Sequence, residues 1–316
     1  MSDPTDAVLP SWSPGPVRDA VVGFLDRSAS IPQEERLACF DNDGTLWCEQ
    51  PHYVQLDFLL AALATRVAAH PHLRDQVEFQ ALLTGDSVAM AELGLPRIAM
   101  ALTGLFQGVP PQEFAVHVRE FMAEANNVAL GRPLRELVYQ PMLELIDELR
   151  SREFTVAIVT GGGTEFVRAV SFDLYGVPPE LVVGTLIEYD FEAGQERPGL
   201  RRSNRLLGSA NEGPAKVVNI QTQLGRRPVL AAGNTGGDRE MLEWAHAVEG
   251  PSLAVLIDHD DQAREFSYEG TAETVAETES ITDVGRRSGW TVVSMARDFE
   301  AVFPPGAGPS RSVRED

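Results

Sequence analysis

Asp41 and Asp43 stand two apart at the end of an apolar run, and Gly44 follows at once. Alternate residues of an extended chain point to the same side. The two carboxylates therefore share a direction if the strand persists, and Gly44 then turns the chain. Carboxylate oxygens are hard ligands that suit Mg²⁺, and one of the pair stays free to attack as a nucleophile. The same pattern also fits a calcium loop or a solvated Asx turn. Three further segments narrow the choice. Val159-Thr160-Gly161-Gly162-Gly163-Thr164 sets a hydroxyl before a run of glycine amides entering a helix, where N–H groups can bind an oxyanion. Lys216 falls in the first turn of a helix opened by Pro214. Asn234 and Asp238 supply an amide and a carboxylate near another helix start, although a lone aspartate there is commonly an N-cap.

Composition sharpens one of these residues. Of 26 basic residues, Lys216 is the one lysine and the other 25 are arginine. A chain that puts arginine wherever a cation serves points to Lys216 as a place that needs a compact ammonium and not a planar fork. The formal charge of −21, from 26 Lys+Arg against 47 Asp+Glu, repels phosphate backbones and anionic lipid, so nucleic acid and membrane surfaces are poor partners. An anionic substrate would have to meet locally supplied positive charge. Two cysteines, Cys39 and Cys48, form no disulfide framework and point to a reducing compartment. With no basic, apolar leader in view, the expected location is the cytoplasm.

These residues need elements that carry them to one place. Short apolar runs at Leu37–Asp41, Thr155–Thr160, Leu181–Val183, Pro228–Ala232, Ser252–Ile257 and Thr291–Ser294 read as strands buried on both faces. Helical patterns separate them. Met142, Leu145, Ile146 and Leu149 recur at helical spacing after Pro141, and another helix runs from Pro214 to Gly225. Alternation of this kind predicts an α/β, doubly wound, mainly parallel Rossmann-like sheet. Residues 48–135 show helical patterns alone, and predict an all-helical cap inserted after the first strand, a lid over the strand ends. The predicted division is a flexible arm over 1–16, a core over 17–47 and 136–303, the cap over 48–135 and a flexible tail over 304–316.

Each chemical segment follows a predicted strand or opens a helix, in a fixed order. In this order the sequence resembles the haloacid dehalogenase-like (HAD) hydrolase superfamily, in particular its phosphoserine phosphatase-like branch, over roughly residues 37–260. The resemblance implies a Mg²⁺-dependent phosphomonoesterase acting on a small phosphorylated metabolite. It implies Asp41 as a nucleophile that becomes phosphoaspartate, and Asp43 as the acid/base that protonates the leaving alcohol and then activates water. Thr160 and the glycine amides of Gly161 and Gly162, with Gly44, would hold phosphoryl oxygens, and Lys216 would neutralise charge. Asp41, the Asp43 carbonyl, Asp238 and Asn234 would ligate Mg²⁺. The chain departs from many members at Asn42, where an apolar residue is common, and at Asn234, where aspartate is common. An aspartate at position 43 argues for a phosphatase over a dehalogenase, which has no alcohol to protonate.

Two other readings remain on the sequence alone: a phosphotransferase on the same fold, and a phosphate-binding module without catalysis. Weaker signals surround the motifs. Glu49 matches an acidic position that meets the substrate in phosphoserine phosphatases, and otherwise reads as a solvated flap residue. Arg97 and Arg119 are cations of the helical block. Asp258-His259-Asp260-Asp261 could be a second metal site or substrate contact, or a loop of Asx caps. Trp47 and Tyr53 read as packing residues.

Overall fold

The computed structural model describes residues 8–193, 198–272, 275 and 278–306. Among the described residues ten strands run in chain order: β1 (Leu37–Phe40), β2 (Asn126–Asn127), β3 (Arg132–Pro133), β4 (Thr155–Gly163), β5 (Val182–Thr185), β6 (Ile187–Glu192), β7 (Gly199–Leu206), β8 (Leu230–Gly233), β9 (Leu253–Asp258) and β10 (Thr291–Ser294). The helices are α1 (Pro16–Arg27), α2 (Val54–Ala69), α3 (Val77–Thr84), α4 (Ser87–Leu93), α5 (Leu95–Gly104), α6 (Pro111–Glu124), α7 (Gln140–Ser151), α8 (Thr164–Arg168), α9 (Ser171–Tyr175), α10 (Pro214–Leu224), α11 (Arg239–His246), α12 (Ile281–Ser288) and α13 (Met295–Asp298). No helix among the described residues is long and apolar enough to cross a membrane.

Six strands form one sheet in the order β10-β9-β8-β1-β4-β5. β1 pairs in parallel with β4, Phe40 facing Ile158, and with β8, Phe40 facing Ala232. The β8–β9 and β9–β10 pairs are parallel too. The sheet is the doubly wound α/β architecture that the apolar runs predict. All four β1 residues are fully buried, which explains why the strand reads as an unbroken apolar run. The chain leaves β1 toward β4 and β5 and later returns to fill the β8 side, so the strand order reverses at β1. Open α/β sheets bind ligands at that switch, outside the carboxyl ends of the strands. α7 buries Met142, Leu145, Ile146 and Leu149 along one stripe, and α10 starts on Pro214 and stops at left-handed Gly225.

The chain divides into two compact units: Met1–Cys48 with Ala125–Val159 and Glu212–Asp316, and Glu49–Glu124 with Thr160–Asn211. This differs from the 48–135 boundary read from the sequence. The helical block from α2 to α6 shares its unit with residues 160–211, and the short β2–β3 pair joins the other. The reason is an aromatic cluster. Phe58 lies 5.2 Å from Phe106 and 5.4 Å from Phe166, with Phe114 and Phe121 at 5.7 and 5.5 Å. Arg202 in β7 stacks 3.6 Å above Phe114 and pairs with Glu165 at 3.0 Å. The β6–β7 hairpin, rich in exposed charge, carries too few apolar residues to announce itself as strand.

The flexible arm predicted over 1–16 is corrected for its described part. Leu9 and Trp12 are buried at 1% and 2% exposure. Trp12 bridges Phe299 in antiparallel fashion, stacks edge-on against its ring and donates its indole N–H to Pro141 O at 2.9 Å. Ser11 donates both its amide and its hydroxyl to Glu144. The Pro- and Ser-rich composition hid these anchors, because one large aromatic outweighs several loop formers. Trp12→Ala should cost about 3–5 kcal/mol in a urea titration, the usual range for emptying a buried aromatic site. A loss under ~0.5 kcal/mol, the scale of an ordinary surface change, would mean this segment does not support the fold.

Candidate active site

The site grows from the ends of β1 and β8. Asp41 continues β1 by one residue, its amide donating to Ala232 O at 2.9 Å. Its carboxylate is only 6% exposed. Gly233 closes β8, and a side chain there would need a Cβ 2.5 Å from that of Asp238, so only glycine lets the two segments meet. Lys216 stands third in α10 and is 2% exposed. Its Nζ donates to Asp41 Oδ1 at 2.6 Å and to Asp238 Oδ1 at 2.5 Å. The other Asp238 oxygen accepts from the amides of Asn234 and Thr235 at 3.0 and 3.1 Å. Asp238 thus caps its turn with one oxygen and meets the ammonium with the other. Asn234 is buried beside it and accepts from Thr45 Oγ1 at 3.3 Å.

One ammonium here faces two carboxylates. Burial and the Asp238 charge push the Asp41 carboxyl well above the usual carboxylate range, and Lys216 only partly offsets them. Burial also works against the Lys216 ammonium, but the charges of Asp238 and Asp41 outweigh it and raise its pKa. Cys39, inside β1, is pushed up by burial and is inert as a thiolate.

Asp43 sits on a tight turn. Gly44 adopts a left-handed φ of 73°, its amide donates to Trp47 O at 2.9 Å, and Leu46 N reaches Asn42 O at 2.8 Å. The Trp47 indole N–H donates to Asp43 Oδ1 at 2.8 Å, and Asn42 Nδ2 lies 3.4 Å from Oδ2. The sequence suggested only packing for Trp47; its distance of four residues across a glycine turn was the available signal. His259 is the second residue whose role was open. Its Nε2 lies 2.8 Å from Gly44 O and its Nδ1 3.3 Å from Glu265 Oε2. The neighbouring aspartates are structural. Asp260 accepts from Ser294 Oγ and the Ala296 amide, and Asp261 from the amides of Ala263 and Arg264.

The remaining predicted residues lie in the second unit. Thr160 is fully buried; its hydroxyl accepts from Gly162 N at 2.9 Å and its carbonyl from Asn211 Nδ2 at 2.9 Å. Gly163 N donates to Gln55 Oε1 at 2.8 Å, and Gly161 O accepts from Thr185 Oγ1 at 2.7 Å. The glycine run is the end of β4 and leads straight into α8, with Gly163 as its N-cap. The amides of Gly162 and Gly163 are engaged within their own unit. Glu49 is 5% exposed and so is not a solvated flap residue.

A family model for the haloacid dehalogenase-like hydrolases matches residues 38–243. The chain belongs to that family of hydrolases. It is similar in structure to a protein of unknown function from Bordetella pertussis Tohama I, at 19% identity over 82% of this chain and 98% of that one, with a TM-score of 0.50. A conserved, functionally unknown protein from Anaerococcus prevotii DSM 20548 matches at 13% identity over 86% and 88%, with a TM-score of 0.56. A probable phosphoserine phosphatase from Vibrio cholerae matches more loosely, at 12% identity over 83% and 70%, with a TM-score of 0.41. No curated protein matches the sequence.

The imbalance at Lys216 gives opposite signs for two substitutions. Asp41 holds its proton more strongly folded than unfolded, so its contribution to stability falls as pH rises above the ordinary carboxylate range. In metal-free buffer at neutral pH, Asp41→Asn should therefore stabilise the fold, and the gain should shrink toward pH 4. Lys216→Met should instead destabilise by about 3–5 kcal/mol, since it strands two buried carboxylates. Thermal melts of both variants across pH check the pair; the same sign for both would refute the imbalance.

Proposed function

We propose that the chain is a Mg²⁺-dependent phosphomonoesterase acting on a small phosphorylated metabolite through a phosphoaspartate on Asp41. The observation that carries this reading is the buried meeting of Asp41, Lys216 and Asp238 at the strand switch, with Asp43 on the adjoining turn. Two free, buried cysteines agree with a reducing compartment, and we take the cytoplasm as its place.

The donor set fits the metal. No group of three or more His, Cys, Asp or Glu side chains is placed to hold an ion among the described residues. What β1 and β8 offer are two carboxylates, the Asn234 amide oxygen and the Asp43 carbonyl. Mg²⁺ asks for such a set, because it binds through one or two carboxylates and keeps several waters. Asp41, Asp238, Asn234 and the Asp43 carbonyl would hold it, and when bound it would draw charge from phosphoryl oxygens.

The residues of the chain then divide the work. An Asp41 carboxylate oxygen attacks phosphorus, and the phosphorus bond to the alcohol oxygen breaks. Protonated Asp43 gives its proton to that oxygen as the alcohol leaves. Asp43, now a carboxylate, takes a proton from water, whose oxygen attacks phosphorus and frees phosphate and Asp41. Lys216 offsets one of the two carboxylate charges around the nucleophile before a phosphate approaches. By match to the family motif, Thr160 and the Gly161 amide bind phosphoryl oxygens. Phosphoryl transfer needs this positioning and neutralisation more than unusual bond chemistry.

Asp41→Asn should abolish hydrolysis of p-nitrophenyl phosphate in the presence of Mg²⁺, and unchanged turnover would overturn the reading. Asp43→Asn should lower kcat by ~10²–10⁴-fold, the span of general acid/base catalysis. Chelation of divalent ions should remove activity and added Mg²⁺ restore it, as followed by phosphate release.

A further inference from the structure

His259 follows the end of β9 and is 2% exposed, and both its ring nitrogens face acceptors: the Gly44 carbonyl and the Glu265 carboxylate. Each ring nitrogen is thus set against an oxygen, and an N–H on Nε2 is what the Gly44 carbonyl can accept. Glu265, equally buried, is surrounded by donors. Its Oε1 accepts from Tyr139 OH at 2.9 Å and its Oε2 from the Phe266 amide at 2.6 Å. Burial works against its charge, but the hydrogen bond and charge of His259, then Cys48 and the Phe266 amide, hold its carboxyl below the ordinary range. Tyr268 stacks on the imidazole at 4.4 Å and 21°, which fixes the ring plane.

A buried ion pair is weak evidence for stability, because apolar residues of the same volume often serve as well. What this pair holds is therefore more informative than how strongly it is held. The turn from Asn42 to Trp47 spends its own amides internally: Gly44 N on Trp47 O, and Leu46 N on Asn42 O. The Gly44 carbonyl points out of it and receives Nε2 of His259. Gly44 adjoins Asp43, whose carboxylate is held on the other side by the Trp47 indole.

We propose that the His259–Glu265 pair is a positioning device for the acid/base: by gripping Gly44 O it fixes the turn that, with the Trp47 indole, sets the direction of the Asp43 carboxyl. This rests on the phosphatase reading and adds residues that the motifs do not contain. His259 touches neither nucleophile nor substrate in this role; it acts through the turn.

The test exploits the leaving group. p-Nitrophenolate departs with little help from an acid, whereas an alkyl alcohol needs a proton. The kcat/KM value covers the steps through departure of the alcohol, so hydrolysis of the common intermediate does not enter it. For His259→Leu, kcat/KM toward an alkyl phosphate such as glycerol 2-phosphate should fall about 10²-fold, the penalty of a misplaced catalytic group, while that for p-nitrophenyl phosphate falls far less. His259→Gln keeps one N–H for the Gly44 carbonyl and should recover most of the loss. Trp47→Phe removes the other hold without emptying the core, and should reproduce the leaving-group dependence even if His259→Leu does not fold. Equal losses on both substrates in His259→Leu and Trp47→Phe, or no loss in Trp47→Phe, overturn the positioning role while Asp41→Asn still tests the phosphatase reading by itself. A wild-type protein that hydrolyses neither ester overturns both.

Discussion

One ammonium buried between two carboxylates is the constraint on which the rest of the site depends. Each ion taken out of water costs several kcal/mol, and mutual attraction returns this only with good geometry. The geometry at Lys216 is supplied by the backbone: Asp41 is fixed by its amide on β8, and Asp238 by two loop amides on its second oxygen. The trio keeps a residual negative charge, inside a chain whose total is −21. A phosphate could approach it only if further positive charge came with it, and a divalent cation on the same oxygens is what the proposed chemistry brings.

The strand order explains why these residues, far apart in sequence, can meet. β1 lies between β4 and β8, so residues that follow β1 and β8 emerge side by side at the reversal. Loops at that place are free to carry function because the buried sheet beneath them carries stability. Gly233 shows the fit at its tightest, since any side chain there would collide with Asp238.

How much of this was legible follows from how locally each feature is written. The sheet strands are apolar on both faces, so their runs stand out and five of the six lie within two residues of expectation; β4 alone continues three further, through its glycines. Asp41, Lys216 and Asp238 were legible because each stands at a strand end or helix start, where residue type and position agree. The β6–β7 hairpin was not, since its stability comes from Arg202 lying on Phe114 and against Glu165, partners set far away in the chain. Trp12 was hidden for a similar reason: its environment is Phe299 and Pro141, and nothing nearby in the sequence points to either.

Lys216 and His259 illustrate two ways of tying buried oxygens together. The chain prefers arginine everywhere except at Lys216, where the ammonium presents donors from a single point to two aspartates. A guanidinium would spread its donors over a planar fork made for one carboxylate. At His259 a flat ring is needed instead, because its two nitrogens must reach opposite ways, to a backbone carbonyl on one side and to Glu265 on the other. An ammonium there could satisfy the carboxylate but would have no fixed plane for Tyr268 to hold, and the Gly44 carbonyl would be gripped less firmly. The shape of each group follows from what it must connect: charges to one another at Lys216, a carboxylate to a turn at His259.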